Sequence, residues 1–161
     1  MRKFYNAALA AAAAIIALPA LAAAPTPVYL AKAGAGDMYE KQSATIVLQT
    51  TRDPQVRKFA NMMLMDHTKS TNMVKSAAMR SGLHPKPPML EPKQRAMLAD
   101  LRHARGRERD RAYVDQQKMA HQEALALHRD YAATGSVRAL RGVAGNIVPV
   151  VEHHIMMLDR M

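Results

Sequence analysis

Apolar residues return at three- and four-residue steps along four long stretches of this chain, which is the spacing that keeps side chains on one helical face. The first stripe is Ala33, Gly36, Glu40, Ala44 and Val47, and the second is Val56, Ala60, Met63, His67, Thr71, Val74 and Ala78. The third runs Asp110, Val114, Gln117, His121, Leu125 and His128, and the fourth Leu140, Val143, Ile147, Val151, His154 and Leu158. Strand signals are missing: there is no alternating β-branched run and no Asn-Gly or Asp-Gly hairpin. The pattern predicts an all-α fold.

Local chemistry sets the helix limits. Asp53-Pro54 is an N-cap followed by proline at the first helical position, and Ser81-Gly82 with Pro85 beyond is a stop. The first helix is expected over about residues 27–51, so only Thr51-Arg52 separates it from the second and the two must fold back as a hairpin. A third long helix is expected over about residues 107–134. After it Gly135-Ser136 reads as a stop followed by an N-cap, and Pro149 predicts a kink in the fourth helix. Between the hairpins, residues 83–106 open with Pro85, Pro87, Pro88 and Pro92 and then offer a short helix from about Pro92 to Arg105. Part helical and part extended, that segment reaches over ~50 Å, whereas a 28-residue helix is ~42 Å long. It can therefore run the length of the bundle. Two antiparallel hairpins joined by a long crossover containing a short helix form a ferritin-like four-helix bundle.

Four ionisable residues occupy the apolar stripes: Glu40, His67, His121 and His154. Such a side chain facing a core is costly unless it is paired, hydrogen-bonded or metal-bound. With the crossover spanning the bundle, His67 and His121 fall at one level, each 14 residues after the start of its helix. Glu40 misses that level by ~4.5 Å and His154 by ~7.5 Å along the axis. Imidazoles with one carboxylate suit zinc, copper or iron. Alternatively each histidine is a satisfied core residue, bonded to Glu40, Asp66, Gln117 or Tyr113. The methionines of the second helix, Met62, Met63, Met65 and Met73, lie on different faces and read as packing. Asp66 is expected to face away from the ring of His67 and to pair with Lys69 or an arginine. Asp110 and Tyr113, well removed from His121 along their helix, read as structural, with Asp110 bonded to an arginine of the crossover.

The N-terminus changes the setting. Met1-Arg2-Lys3, the apolar run Ala7 to Leu18, Pro19 and the Ala20-Leu21-Ala22 cleavage pattern predict a signal peptide over residues 1–22 and one bundle domain over 23–161. The run is too short to span a membrane, which takes roughly 20 apolar residues, and no later stretch approaches that. The chain is thus expected in the periplasm or at the outer membrane, with no transmembrane segment. There are no cysteines, so disulfides and thiolate metal sites are excluded. The 23 basic residues against 13 acidic give a net charge of +10, a balance often associated with nucleic acid. Export removes that partner, and aromatic stacking residues are scarce at 4%. The Arg102, Arg105, Arg107, Arg109 and Arg111 run instead offers a face for anionic lipid head groups or polysaccharide. Oligomeric state leaves no mark on the sequence.

Several of these residues carry a resemblance. Gly36-Asp37-Met38-Tyr39-Glu40, the stretch from Val56 to Ser70 containing Asp66-His67-Thr68, Asp110-Arg111-Ala112-Tyr113, Gln117 with His121, and Pro149 with His154 are its elements. Across about residues 28–158 the chain resembles the bacterial exported proteins grouped as a domain of unknown function (DUF4142), many assigned to the outer membrane. The resemblance implies a ferritin-like helical fold in the envelope and no established activity. Ferritin-like di-iron sites use Glu-x-x-His pairs. Here Leu64, Lys118 and Val151 stand three residues before the three histidines, so that carboxylate-rich site is not inherited. No Ser-His-Asp order, phosphate loop or zinc-protease motif is present, and nothing points to an enzyme. Two functions stay open: an envelope interaction module linked to envelope stress, or a transition-metal-binding protein with Glu40, His67, His121 and His154 around the ion.

Overall fold

A computed structural model describes residues 24–161, so the expected signal peptide at 1–22 lies outside the described residues. Five helices follow in order: α1 (Thr26–Leu48), α2 (Pro54–Arg80), α3 (Pro92–His103), α4 (Gly106–Thr134) and α5 (Arg138–Leu158). No strand occurs among the described residues. The capping chemistry acts as its sequence implies. The Asp53 carboxylate accepts the Gln55 and Val56 N–H groups at 2.8 and 3.2 Å, which satisfies two of the four orphan donors at the start of α2. At the far end Gly82 takes φ +72°, while Gly82 N–H donates to Met79 O and Leu83 N–H to Ala78 O, a Schellman closure. The α3 start is held by Gln94, whose side chain accepts the Glu91 N–H at 2.9 Å.

One feature of α5 differs from expectation. Its N-cap is Val137, and Ser136 does not cap it. The Ser136 hydroxyl is committed elsewhere, 2.8 Å from Thr26 Oγ1, which also bonds the Tyr131 hydroxyl at 2.7 Å. Pro149 sits inside an unbroken α5. Its missing N–H leaves the Gly145 carbonyl without a helical donor, but both residues face solvent, where water can serve.

α1 packs chiefly on α2 and α4 chiefly on α5, so the bundle is two hairpins laid side by side. The register follows from what packs together. One apolar cluster joins Val47 of α1, Phe59 and Met63 of α2, Tyr113 and Val114 of α4 and Leu158 of α5. The other joins Tyr29 and Ala33 of α1, Val74 and Ala78 of α2, Leu125 and Tyr131 of α4, and Leu140 to Val151 of α5. Early α2 meets early α4, and late α2 meets late α4. The two helices are therefore parallel, as the crossover requires. That crossover lies along α1 and α4: Leu98 and Leu101 of α3 are fully buried, and a Cβ placed on Gly34 would stand 3.0 Å from Pro88 Cβ. Between the two apolar clusters lies a polar layer.

Candidate metal centre

The polar layer holds His67 from the middle of α2, His121 from the middle of α4 and His154 from late α5, all buried. Their ring centroids lie 5.3–5.9 Å apart, and Phe59 packs beneath His121 and His154 at 6.2 and 6.1 Å. Each ring is pinned by one nitrogen to a fixed oxygen. His67 Nδ1 is 2.8 Å from Asp37 Oδ1, His121 Nδ1 is 2.9 Å from the Gln117 carbonyl, and His154 Nε2 is 3.0 Å from Asp66 Oδ2. A carbonyl or carboxylate oxygen can only accept, so these three nitrogens are the donors.

That assignment fixes the other three nitrogens. In the neutral rings His67 Nε2, His121 Nε2 and His154 Nδ1 carry lone pairs, and one nitrogen from each of the three rings lies within 4.8 Å of the other two. His121 Nε2 and His154 Nδ1 are 3.2 Å apart, lone pair to lone pair, and His67 Nε2 has no hydrogen-bond partner. With all three rings neutral, three acceptors converge on one point with no donor between them, and either a further proton or a metal ion would bridge them. Two nitrogens held by one tetrahedral ion at 2.0–2.1 Å are ~3.3 Å apart. The His121–His154 pair is already at that spacing, and closing the widest separation takes less than ~1 Å from each ring. Asp37 and Asp66 behind two of the rings make the carboxylate–histidine pairing that orients metal ligands.

The electrostatics fit a cation focus. Burial, with the fields of His67 and His154, pushes the His121 pKa down to about 3. Burial likewise lowers His154 to about 4, against the pull of Asp66. His67 goes the other way: burial opposes its protonation, but the Asp37 hydrogen bond and the fields of Glu40, Asp37 and Asp66 outweigh it. A proton on His67 and a metal ion would compete for the same place.

Glu40 stands behind this group. Its Oε1 is 3.7 Å from His121 Nδ1, on the ring edge turned away from His154, and the three converging nitrogens do not include it. Burial raises its pKa to about 7, against the lowering pull of His67 and Gln117. Its Oε2, the Tyr113 hydroxyl and Gln117 Oε1 are all buried without partners. Burial and the field of Glu40 raise the Tyr113 pKa, so this hydroxyl belongs to the polar layer rather than apart from it.

Four side chains depart from expectation. Asp66 faces His154 across the α2–α5 seam instead of pairing with Lys69. Asp37, which sequence reasoning did not single out as a partner, holds His67 and also accepts the Thr71 hydroxyl at 2.9 Å. Asp110 makes no ion pair among the described residues, and its Oδ1 is buried without a partner. Arg109 is not part of a solvated face: it is buried and ties the Ala104 and Arg102 carbonyls to the Thr50 hydroxyl. The rest of the arginine run is exposed. His128, on the same stripe of α4, is taken up by the Tyr29 hydroxyl at 3.2 Å and stands outside the three-nitrogen group.

Beside the histidines a chamber of about 730 Å³ runs between the hairpins. His67, His154, Asp37, Asp66 and Glu40 line its polar end, and Ala33, Met73, Met97, Leu127, Ile147 and Val151 its apolar wall. Lys32, Lys69 and Lys93 also border it and are exposed, so it reaches solvent. No helix among the described residues is long and apolar enough to cross a membrane.

Comparison with known proteins agrees with the architecture. A family model described as "Domain of unknown function (DUF4142)" matches residues 10–161. Among solved structures, a DUF305 fragment from Deinococcus radiodurans superposes with a TM-score of 0.73 at 17% identity, over 86% of this chain and 96% of that one. A DUF305 protein from Streptomyces coelicolor, inferred to be secreted, gives 0.68 at 16% identity over 82% and 87%. At these identities the likeness is one of fold. No curated protein matches the sequence.

Proposed function

The chain belongs to the DUF4142 family, the domain of unknown function whose model it matches, and from that premise we propose that it is an exported envelope protein binding one divalent transition-metal ion. His67, His121 and His154 would be the ligands, with Asp37 and Asp66 orienting two of them. The observation that carries this reading is the 3.2 Å approach of two imidazole nitrogens, both lacking a proton, beside the unpartnered His67 Nε2. A closed hydrogen-bond network, the competing account, requires a donor at that point, which only a second proton on one of the rings, His67 first, would supply. Three imidazoles without thiolate suit zinc first, and copper or iron next. The positive, apolar N-terminal segment and the secreted DUF305 relative support export. The exposed Arg102, Arg105, Arg107 and Arg111 would then face lipid head groups or polysaccharide of the envelope.

The test is metal analysis of untagged protein after dialysis against zinc, copper(II) or iron(II), with thermal melts in each ion. One equivalent bound, a raised Tm, and loss of both in His67→Ala and His121→Ala are expected. Sub-stoichiometric metal and melts that ignore every ion would remove the reading. Surface histidines are the control: His84, His103 and His153 are exposed, and their alanine variants should keep the equivalent.

A further inference from the structure

We propose that the bound ion keeps one coordination position open toward the chamber, and that this position takes an anionic oxygen donor carrying a short apolar tail. The inference rests on the metal-binding reading above and adds what the ion is for. Three nitrogens converge, and among the described residues no fourth histidine or carboxylate lies with them. Structural zinc sites are closed by four protein ligands, whereas sites with three protein ligands leave the fourth position to water or substrate. Two of the three rings, His67 and His154, border the chamber, so that position has somewhere to open.

The chemistry of the ligand follows from the lining. Three neutral imidazoles place no negative charge on the ion itself, and the Asp37 and Asp66 carboxylates offset its charge only from behind two of the rings, so the fourth position suits an anionic oxygen. The nearby carboxylates of Asp37 and Asp66 are held by His67 and His154, and that of Glu123 by Lys93 at 2.5 Å. Lys32 and Lys69 stand at the rim as further cations, with the exposed carboxylates of Glu91 and Asp130 also on the lining. Beyond the polar end the wall is apolar: Ala33, Met73, Leu127, Ile147 and Val151 come from α1, α2, α4 and α5. At about 730 Å³ the space is within the ~300–1,000 Å³ range of small-molecule sites, far larger than one water needs. Glu40 borders the same space with an unpartnered Oε2 and is the group that would close the site if it swung onto the ion.

Cobalt(II) substitution tests this, because the visible bands of the ion report its ligands. Acetohydroxamate, butanohydroxamate and hexanohydroxamate are titrated into the cobalt protein, with Glu40→Gln in parallel. Saturable band shifts in the unmutated protein are expected, with affinity rising at least tenfold from the two-carbon to the six-carbon ligand. Each fully buried methylene contributes about fourfold, so the tenfold floor allows for incomplete burial. Ala124→Phe, which narrows the chamber, should keep acetohydroxamate binding and lose the gain with length. Should that variant misfold, the length series on the unmutated protein still decides. Bands that no hydroxamate moves, or that move only in Glu40→Gln, mean a closed site and overturn the proposal. Equal affinity across the series overturns the tail pocket. Failure of cobalt to bind in histidine-dependent bands at all is a different result, and refutes the metal reading itself.

Discussion

Replacing Asp37 by asparagine should weaken metal binding without unfolding the bundle. The Asp37 carboxylate accepts the His67 Nδ1–H at 2.8 Å and the Thr71 hydroxyl at 2.9 Å, and Lys41 Nζ in turn donates to Thr71 at 3.0 Å. Asparagine has the same shape and keeps one oxygen acceptor, so the ring should stay in place. What it removes is the negative charge that makes Nε2 a stronger donor to a cation. Changes to such outer partners typically cost ten- to a hundredfold in metal affinity, or about 1.4–2.7 kcal/mol. The measurement is a competition titration of apoprotein against a chromophoric chelator, with urea unfolding of the apo form alongside. Asp53→Ala supplies the contrast: losing that N-cap should cost about 1 kcal/mol of stability and leave metal affinity alone. An Asp37→Asn protein that binds zinc as tightly as the unmutated one would refute the idea that this carboxylate tunes the site. Weakening matched by an equal loss of apo stability would refute it too, by showing a folding defect instead.

Four further outcomes are expected. His121 and His154 have folded pKa values near 3 and 4 against 6.5 unfolded, so below pH 6.5 the unfolded chain binds more protons and their contribution is lost as pH falls. Glu40, raised to about 7, and His67, also raised, contribute stability at low pH that is lost as pH rises through their folded values. Between pH 4.5 and 6.5 the two histidines outweigh Glu40, so apoprotein melts should peak between about pH 6 and 7; a monotonic profile would contradict this. Bound zinc should reduce the decline on the alkaline side of that peak to the part Glu40 contributes, since it takes the place of a proton on His67. Gly82→Ala should destabilise by roughly 1–2 kcal/mol through its φ of +72° alone, because nothing crowds a Cβ there, and urea unfolding reads it directly. Arg109→Ala should cost about 1–3 kcal/mol in the same assay, as the Ala104 and Arg102 carbonyls and the Thr50 hydroxyl lose their shared donor.

The helices and their pairing were legible because their signals are local. Asp53-Pro54 and Ser81-Gly82 specify a start and a stop by side-chain and backbone chemistry that neighbours do not override. The level of His67 and His121 followed from counting along two parallel helices. His154 looked displaced because the count began at Gly135, whereas α5 begins three residues later at Arg138. Side chains also tilt toward the N-terminus of their own helix. In antiparallel α4 and α5 the tilts of His121 and His154 bring the rings toward each other, which no count of Cα positions registers. Asp37 was recoverable, since it lies three residues before Glu40 on the same face of α1. Asp66 was not: adjacent residues on a helix diverge by about 100°. Only the position of α5 turns a side chain pointing away from His67 into a partner for His154.

Zinc K-edge X-ray absorption on untagged protein loaded with one equivalent tests the central claim most directly. Expected are three imidazole nitrogens at about 2.0–2.1 Å with one further oxygen scatterer, and loss of the imidazole signature in the His67→Ala, His121→Ala, His154→Ala triple variant. An ion surrounded by oxygen alone, or an imidazole shell that survives the triple substitution, would place the metal on the surface and contradict it.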